Sequence, residues 1–153
     1  MANTYSSIGI HFVTGVKHRE ALLQPEWHPR LCGMLHERLK GRKHKLLSFN
    51  THFDHAHLFA SMSPIESISS LAGVWKSNTS SFISEQFGVD FEWQRGYGAF
   101  SVSYDGWAVV RAYIDEQERV HRARTFRAEY VGLLEEHHVD YDERYLFDDI
   151  HVG

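Results

Sequence analysis

The apolar residues of this chain change their period along its length, and that change limits the fold more than any other feature. Over residues 5–14, Ile8, Ile10 and Phe12 alternate with Gly9, His11 and Val13, the period of a strand. Pro25 suits the first turn of a helix, and Trp27, Leu31, Leu35 and Leu39 then recur every four residues as one apolar stripe. Gly41-Arg42-Lys43 ends that helix with cations near its C-terminus. Residues 45–52 and 55–62 read as two more strands. Ser63-Pro64-Ile65-Glu66 has the form of a capping box and predicts a helix start; Ile68, Leu71, Trp75, Phe82 and Ile83 continue its stripe, and Gly88 closes it. A fourth strand is expected at 99–103, a helix capped by Asp105 over about 106–121, and a last helix over about 125–137. The order β-α-β-β-α-β followed by helices predicts an α+β fold: a ferredoxin-like, RRM-like sheet with helices on one face and an added C-terminal helix. That order serves many functions and assigns none.

The length, 153 residues, suits one domain spanning 1–153, with no repeat or linker. No apolar run approaches the roughly 18 residues of a membrane span, and the N-terminus lacks a basic region followed by an apolar block. The single cysteine, Cys32, has no internal partner and falls in the first helix, where it reads as packing. A cytoplasmic protein is expected. The formal net charge of −4 argues weakly against nucleic acid, but it counts twelve histidines as neutral. A bound divalent cation or a local basic face reverses the sign where it matters.

Two short segments carry chemistry. In Asp54-His55-Ala56-His57-Leu58-Phe59, residues two apart on a strand share a face, so both imidazoles can reach one cation while Ala56 and Leu58 face the core. With twelve histidines, chance alone supplies roughly one His-x-His, so the pair needs support. In Tyr113-Ile114-Asp115-Glu116-Gln117, residues four apart on a helix lie on one face, so Tyr113 and Gln117 can point into one site. The plain alternative is a half-buried tyrosine and a solvated glutamine. Together the segments make sense as one centre. A phenol, with a pKa of about 10, is a poor nucleophile unless helped. A divalent cation held by two imidazoles and an amide oxygen keeps open positions for the oxygens of a scissile phosphate.

These residues resemble the small single-tyrosine transposases of the HUH class, named for their His-hydrophobic-His motif, here His55-Ala56-His57, with Asp54 ahead of it. The family's catalytic helix reads Tyr-Ile-x-x-Gln, as in Tyr113-Ile114-Asp115-Glu116-Gln117. The run Trp93-Gln94-Arg95-Gly96-Tyr97-Gly98-Ala99-Phe100-Ser101-Val102-Ser103 is similar to the segment before that helix. Thr125-Phe126-Arg127-Ala128-Glu129-Tyr130 and Tyr141-Asp142-Glu143-Arg144-Tyr145 resemble the C-terminal part, about 125–153. The likeness covers nearly the whole chain in the right order. It departs in three places: Val16 precedes Lys17-His18-Arg19 where the family often has Thr-Lys-x-Arg, His121-Arg122 replaces two adjacent histidines, and Ala56 is smaller than the usual middle residue.

The resemblance implies a metal-dependent single-stranded DNA transposase. Tyr113 would attack a phosphodiester, giving a 5′-phosphotyrosine and a free 3′ hydroxyl, and His55, His57 and Gln117 would hold Mg²⁺ or Mn²⁺. It implies substrates bearing hairpins, and a homodimer in which the tyrosine helix of one subunit can complete the site of the other. Lys17, Arg19, Lys76 and Arg95 are candidate phosphate contacts. Trp75 and Trp93 read as core aromatics with base stacking as the alternative, and His11 and His52 as structural. The alternatives are another HUH nicking enzyme, such as a replication initiator or relaxase, and a nucleic-acid-binding module of the same fold that no longer cuts. Brevity and Gln117 disfavour the first.

Overall fold

The structure, a computed structural model, describes residues 3–147. Strands β1 (Gly9–Gly15), β2 (Lys45–His52), β3 (His55–Ser61) and β4 (Gly98–Val102) form one antiparallel sheet in the order β2-β3-β1-β4, the split arrangement expected from the sequence. Helices α1 (His28–Gly41) and α2 (Ile68–Phe87) connect β1 to β2 and β3 to β4.

Alternation divides each central strand between two cores. Ile10 and Phe12 of β1, with Ala56, Leu58 and Ala60 of β3, meet the stripes of α1 and α2, where Leu31, Leu35, Leu39, Leu71 and Trp75 are buried. The intervening residues His11, Val13, His55 and His57 turn to the other face, which is also covered. There Val13 and Phe100 join Phe126, Tyr130 and Leu134 of α5 (Phe126–Glu136) in a second cluster. Helix α3 (Trp107–Asp115) packs against β2 and β3, and α4 (Gln117–Ala123) against β2. A sheet that presents bare aromatics to nucleic acid is therefore not what this chain builds.

Phe12 tests the first core. It is fully buried, with Trp75 edge-on at 6.2 Å between ring centroids and Tyr97 tilted at the same distance. Phe12→Ala is expected to destabilise the fold by about 3–5 kcal/mol, since the transfer and cavity costs add. Urea unfolding should show this as a lower midpoint at unchanged slope.

The structure moves several element boundaries, for identifiable reasons. The Pro25–Trp27 segment is a 3-10 turn ahead of α1. Helix α2 starts later than the capping box at Ser63 suggests, because Ser67 is the cap and accepts from the Ser70 amide at 3.1 Å. Glu66 is drawn away to Arg42, His44 and the Ser70 hydroxyl. Gly88, at φ 67°, closes α2 in the left-handed conformation as expected. The helix expected over 106–121 is two helices, broken at Glu116 (φ −103°, ψ 28°). At the break Asn50 of β2 donates to the Ile114 carbonyl at 2.9 Å, and Ser48 donates to the Asp115 carboxylate at 2.6 Å, which ties the end of α3 to the sheet. The start of α3 is seated by Gly9, where an added Cβ would come within 2.5 Å of the Trp107 indole. Of the expected C-terminal tail, residues 148–153 lie outside the described residues.

Candidate active site

The strand pair β2-β3 delivers the two histidines of the site. A two-residue turn, Phe53-Asp54, joins them, so His52 pairs with His55 across the ladder and His57 follows on the same face. Both His55 and His57 are fully buried, because α3, α4 and α5 close over that face. The His55 ring lies flat on Phe126, 3.9 Å between centroids and 7° between planes.

Each histidine is oriented through its Nδ1. His55 Nδ1–H donates to the Asp54 carboxylate at 2.8 Å, and His57 Nδ1 shares a proton with His11 Nε2 at 2.8 Å. Such partners direct the Nε2 lone pairs of ligating histidines. Here each Nε2 atom faces Glu129 Oε1 at 3.3 Å, and His55, His121 and Glu129 offer ligand atoms that all lie within 4.8 Å of one another. Gln117, buried at the start of α4, sets its Oε1 3.2 Å from His55 Nε2, while its Nε2–H donates to Glu129 Oε2 at 3.1 Å. His121, one turn along α4, brings its Nε2 to 3.0 Å from Gln117 Oε1. Glu129 of α5, fully buried, places Oε1 3.3 Å from both His55 Nε2 and His57 Nε2, and 3.0 Å from His121 Nε2. The Tyr113 hydroxyl donates to Glu129 Oε2. Tyr113 is half-buried and borders a hollow of about 570 Å³ that His11, Arg124 and His137 also line.

This donor set suits a divalent cation. Ligands at about 2.1 Å from an ion and at right angles stand about 3.0 Å apart, so the 3.0–3.3 Å separations match the edges of a coordination shell. His57, His11 and His121 are held toward the neutral form that a metal needs, and His55 is not. Burial above all pushes His57 down, and His11 well below its ordinary value with help from His57. Burial, then the neighbouring His55 and His52, take His121 down to about 4. Burial is also the largest influence on Glu129 and opposes its ionisation, yet its contacts with His55 and His57 outweigh it and hold the carboxyl at about 2. For His55 the balance runs the other way: burial lowers it, but Asp54 and Glu129 together raise it. The pocket thus holds one buried carboxylate among imidazoles, an arrangement that attracts positive charge.

The structure brings together the four residues singled out as the reactive centre, Tyr113, His55, His57 and Gln117. They meet through Glu129, which reading the motifs did not single out. A signal was present: Glu129 falls within the buried stripe of α5, beside Phe126, Tyr130 and Leu134. His121 and His52, whose rings stack at 4.6 Å, and His11 also adjoin the centre.

Three of the four candidate phosphate contacts lie together and Arg19 stands apart. Lys17, Lys76 and Arg95 line one hollow of about 740 Å³ with Glu92. Lys17 pairs with Glu92 at 2.9 Å. The Lys76 ammonium donates to the carbonyls of Gln94, Arg95 and Gly96 at 2.7–3.1 Å, so it holds the loop before β4. Arg19 instead stacks over the Phe147 ring, 4.8 Å from its centroid. Trp75 and Trp93 are core residues; Trp93 donates to the Thr79 hydroxyl at 2.8 Å. Cys32 is half-buried and its thiol is pushed up to about 11 by burial, which keeps it protonated and inert. No helix among the described residues is long and apolar enough to cross a membrane.

No curated protein matches the chain. Among solved structures it is similar to a protein from Deinococcus radiodurans R1 described as a candidate transposase, with a TM-score of 0.61 and 18% identity over 76% of this chain and 95% of that one. It is also similar to a REP-associated tyrosine transposase bound to a REP hairpin, with a TM-score of 0.58 and 14% identity over 79% of this chain and 73% of that one. At these identities the likeness is one of fold. The family profile described as "Transposase IS200 like" matches residues 4–117, from ahead of β1 to the first residue of α4. The chain therefore belongs to the IS200-like transposase family.

Proposed function

We propose that the protein is a metal-dependent transposase of single-stranded DNA in which Tyr113 is the nucleophile and His55, His57 and Gln117 hold Mg²⁺ or Mn²⁺. The observation that carries this reading is the convergence of Tyr113 and Gln117, from two helices, on the buried histidine pair of β3 and the Glu129 carboxylate beside it. When bound, the cation would neutralise charge on the non-bridging oxygens of the scissile phosphate. Everything else falls to the chain. Tyr113 Oη forms a bond to phosphorus, the bond from phosphorus to the 3′ oxygen breaks, the phenol gives up its proton, and the 3′ oxygen takes one up. The products are a 5′-phosphotyrosine and a free 3′ hydroxyl. Because the phosphotyrosine link keeps the energy of the broken phosphodiester bond, a second 3′ hydroxyl can attack it, release the tyrosine and join strands. The hollow beside Tyr113 is large enough for a nucleotide, and Arg124 on its wall can pair with phosphate.

The reading includes a hairpin-bearing substrate, by analogy with the hairpin-bound structure that this fold resembles. The test is to incubate the protein with labelled hairpin DNA and Mg²⁺ or Mn²⁺, then denature with detergent. A metal-dependent covalent protein–DNA adduct is expected; no adduct with any hairpin-bearing single strand, in either metal, counts against the reading.

The reading also includes a homodimer with exchangeable sites. A mixed dimer of His57→Ala and Tyr113→Phe subunits contains one intact metal site and one intact tyrosine. Mixing the two inactive variants is expected to restore part of the adduct yield. Absence of any restoration would assign each site to one chain.

A further inference from the structure

Glu129 lies beyond the segment that the family profile matches, yet it stands at the centre of the donor cluster. A carboxylate taken out of water is costly unless charge and hydrogen bonds compensate it. Among the described residues its side-chain partners belong to the site. Oε1 faces the Nε2 atoms of His55, His57 and His121 at 3.0–3.3 Å, and Oε2 accepts from the Gln117 amide and from the Tyr113 hydroxyl. The carboxylate has the same access to the histidine nitrogens as Gln117 Oε1, and unlike that amide it brings a negative charge.

We propose that Glu129 is itself a metal ligand, through Oε1, and that through Oε2 it positions the hydroxyl of Tyr113 beside the cation. The inference rests on the metal-dependent reading of the same site. It makes the centre a site of imidazole, amide and carboxylate donors, in which His55, His121 and Glu129 offer ligand atoms within 4.8 Å of one another. Adding a hard oxygen donor favours Mg²⁺ and Mn²⁺ over softer ions, and it cuts the net charge of a bound dication while leaving positions open. It also explains why α5 carries a glutamate within its apolar stripe.

Calorimetric titration of Mn²⁺ into the whole protein separates the two ideas. Wild type is expected to bind one ion, His57→Ala none, and Glu129→Gln at least about tenfold more weakly, a loss already typical of partners outside the coordination shell. Wild-type affinity in Glu129→Gln overturns the inference and leaves the metal site standing. No binding by wild type, or undiminished binding by His57→Ala, overturns the metal reading itself. A crystal of wild type soaked in Mn²⁺ gives an answer that needs no variant to fold. An anomalous peak within about 2.3 Å of a Glu129 oxygen supports the assignment, and a peak held by His55, His57 and Gln117 with Glu129 beyond about 3 Å overturns it. For the positioning role, the ¹³Cζ resonance of labelled Tyr113 should move in metal-free Glu129→Gln while that of Tyr97 stays; an unmoved Tyr113 resonance overturns it.

Discussion

Tyr113→Phe is expected to leave no detectable covalent adduct and to lower strand cleavage by on the order of 10⁴-fold or more, the scale seen when a nucleophile is removed from a working site. The change deletes one oxygen. It costs a hydrogen bond to the Glu129 carboxylate, worth about 1.5–3 kcal/mol, and leaves the half-buried ring in place. The fold, the histidine pair and the surface that meets DNA are therefore retained, and hairpin affinity should stay within about twofold of wild type. That contrast gives the experiment its force, because a general destabilisation would lower binding and cleavage together. An adduct that persists in Tyr113→Phe assigns the nucleophile elsewhere. Tyr104 and Tyr145 are well exposed and are the first places to look. Mn²⁺ binding should survive the substitution, since the phenol donates to Glu129 and is not among the donors that converge on the histidines.

Much of this was legible in the sequence, and the failures have physical causes. The strand order follows from apolar period, because period directly reports which face is buried. The faces of His55 and His57 follow from the two-residue repeat of β3, which sends Ala56 and Leu58 to the core. The break at Glu116 could not be read from the segment 106–121, since its cause lies in Asn50 and Ser48 on β2, far away in sequence. The shift of the α2 start has a similar origin: Glu66 satisfies the local capping pattern, but Arg42 and His44 compete for it. Glu129 was hidden for a related reason. A motif search asks which residues stand at fixed spacing, whereas Glu129 reaches the centre from a separate helix. Its one local trace is a charge in an apolar stripe. Lys76, a cation offered as a phosphate contact by its charge alone, donates to three carbonyls of its own chain, a contact that no local pattern announces.

His57→Ala should abolish cleavage and largely spare hairpin binding. The residue is fully buried and joined to His11 on one side and Glu129 on the other. Removing it takes away one Nε2 ligand atom, and it leaves the buried Glu129 carboxylate short of a partner. Some stability is lost for that reason, about 1–3 kcal/mol by the cost of a buried group left unsatisfied. The first core, built on Phe12, Leu35 and Trp75, lies on the opposite face of the sheet and should keep the molecule folded. Thermal unfolding with and without Mn²⁺ then separates the two roles of the residue. Wild type should gain about 2.7 kcal/mol at a hundredfold excess of ion over its dissociation constant, by mass action alone. His57→Ala should gain nothing, and chelator should lower wild type to its metal-free melting point without altering the variant. If cleavage, hairpin binding and folding fall together and Mn²⁺ still stabilises the variant, His57 is a packing residue and the metal lies elsewhere. If the metal-dependent gain alone disappears along with cleavage, the buried histidine pair is the metal centre, and the hairpin is held by surfaces that do not depend on it.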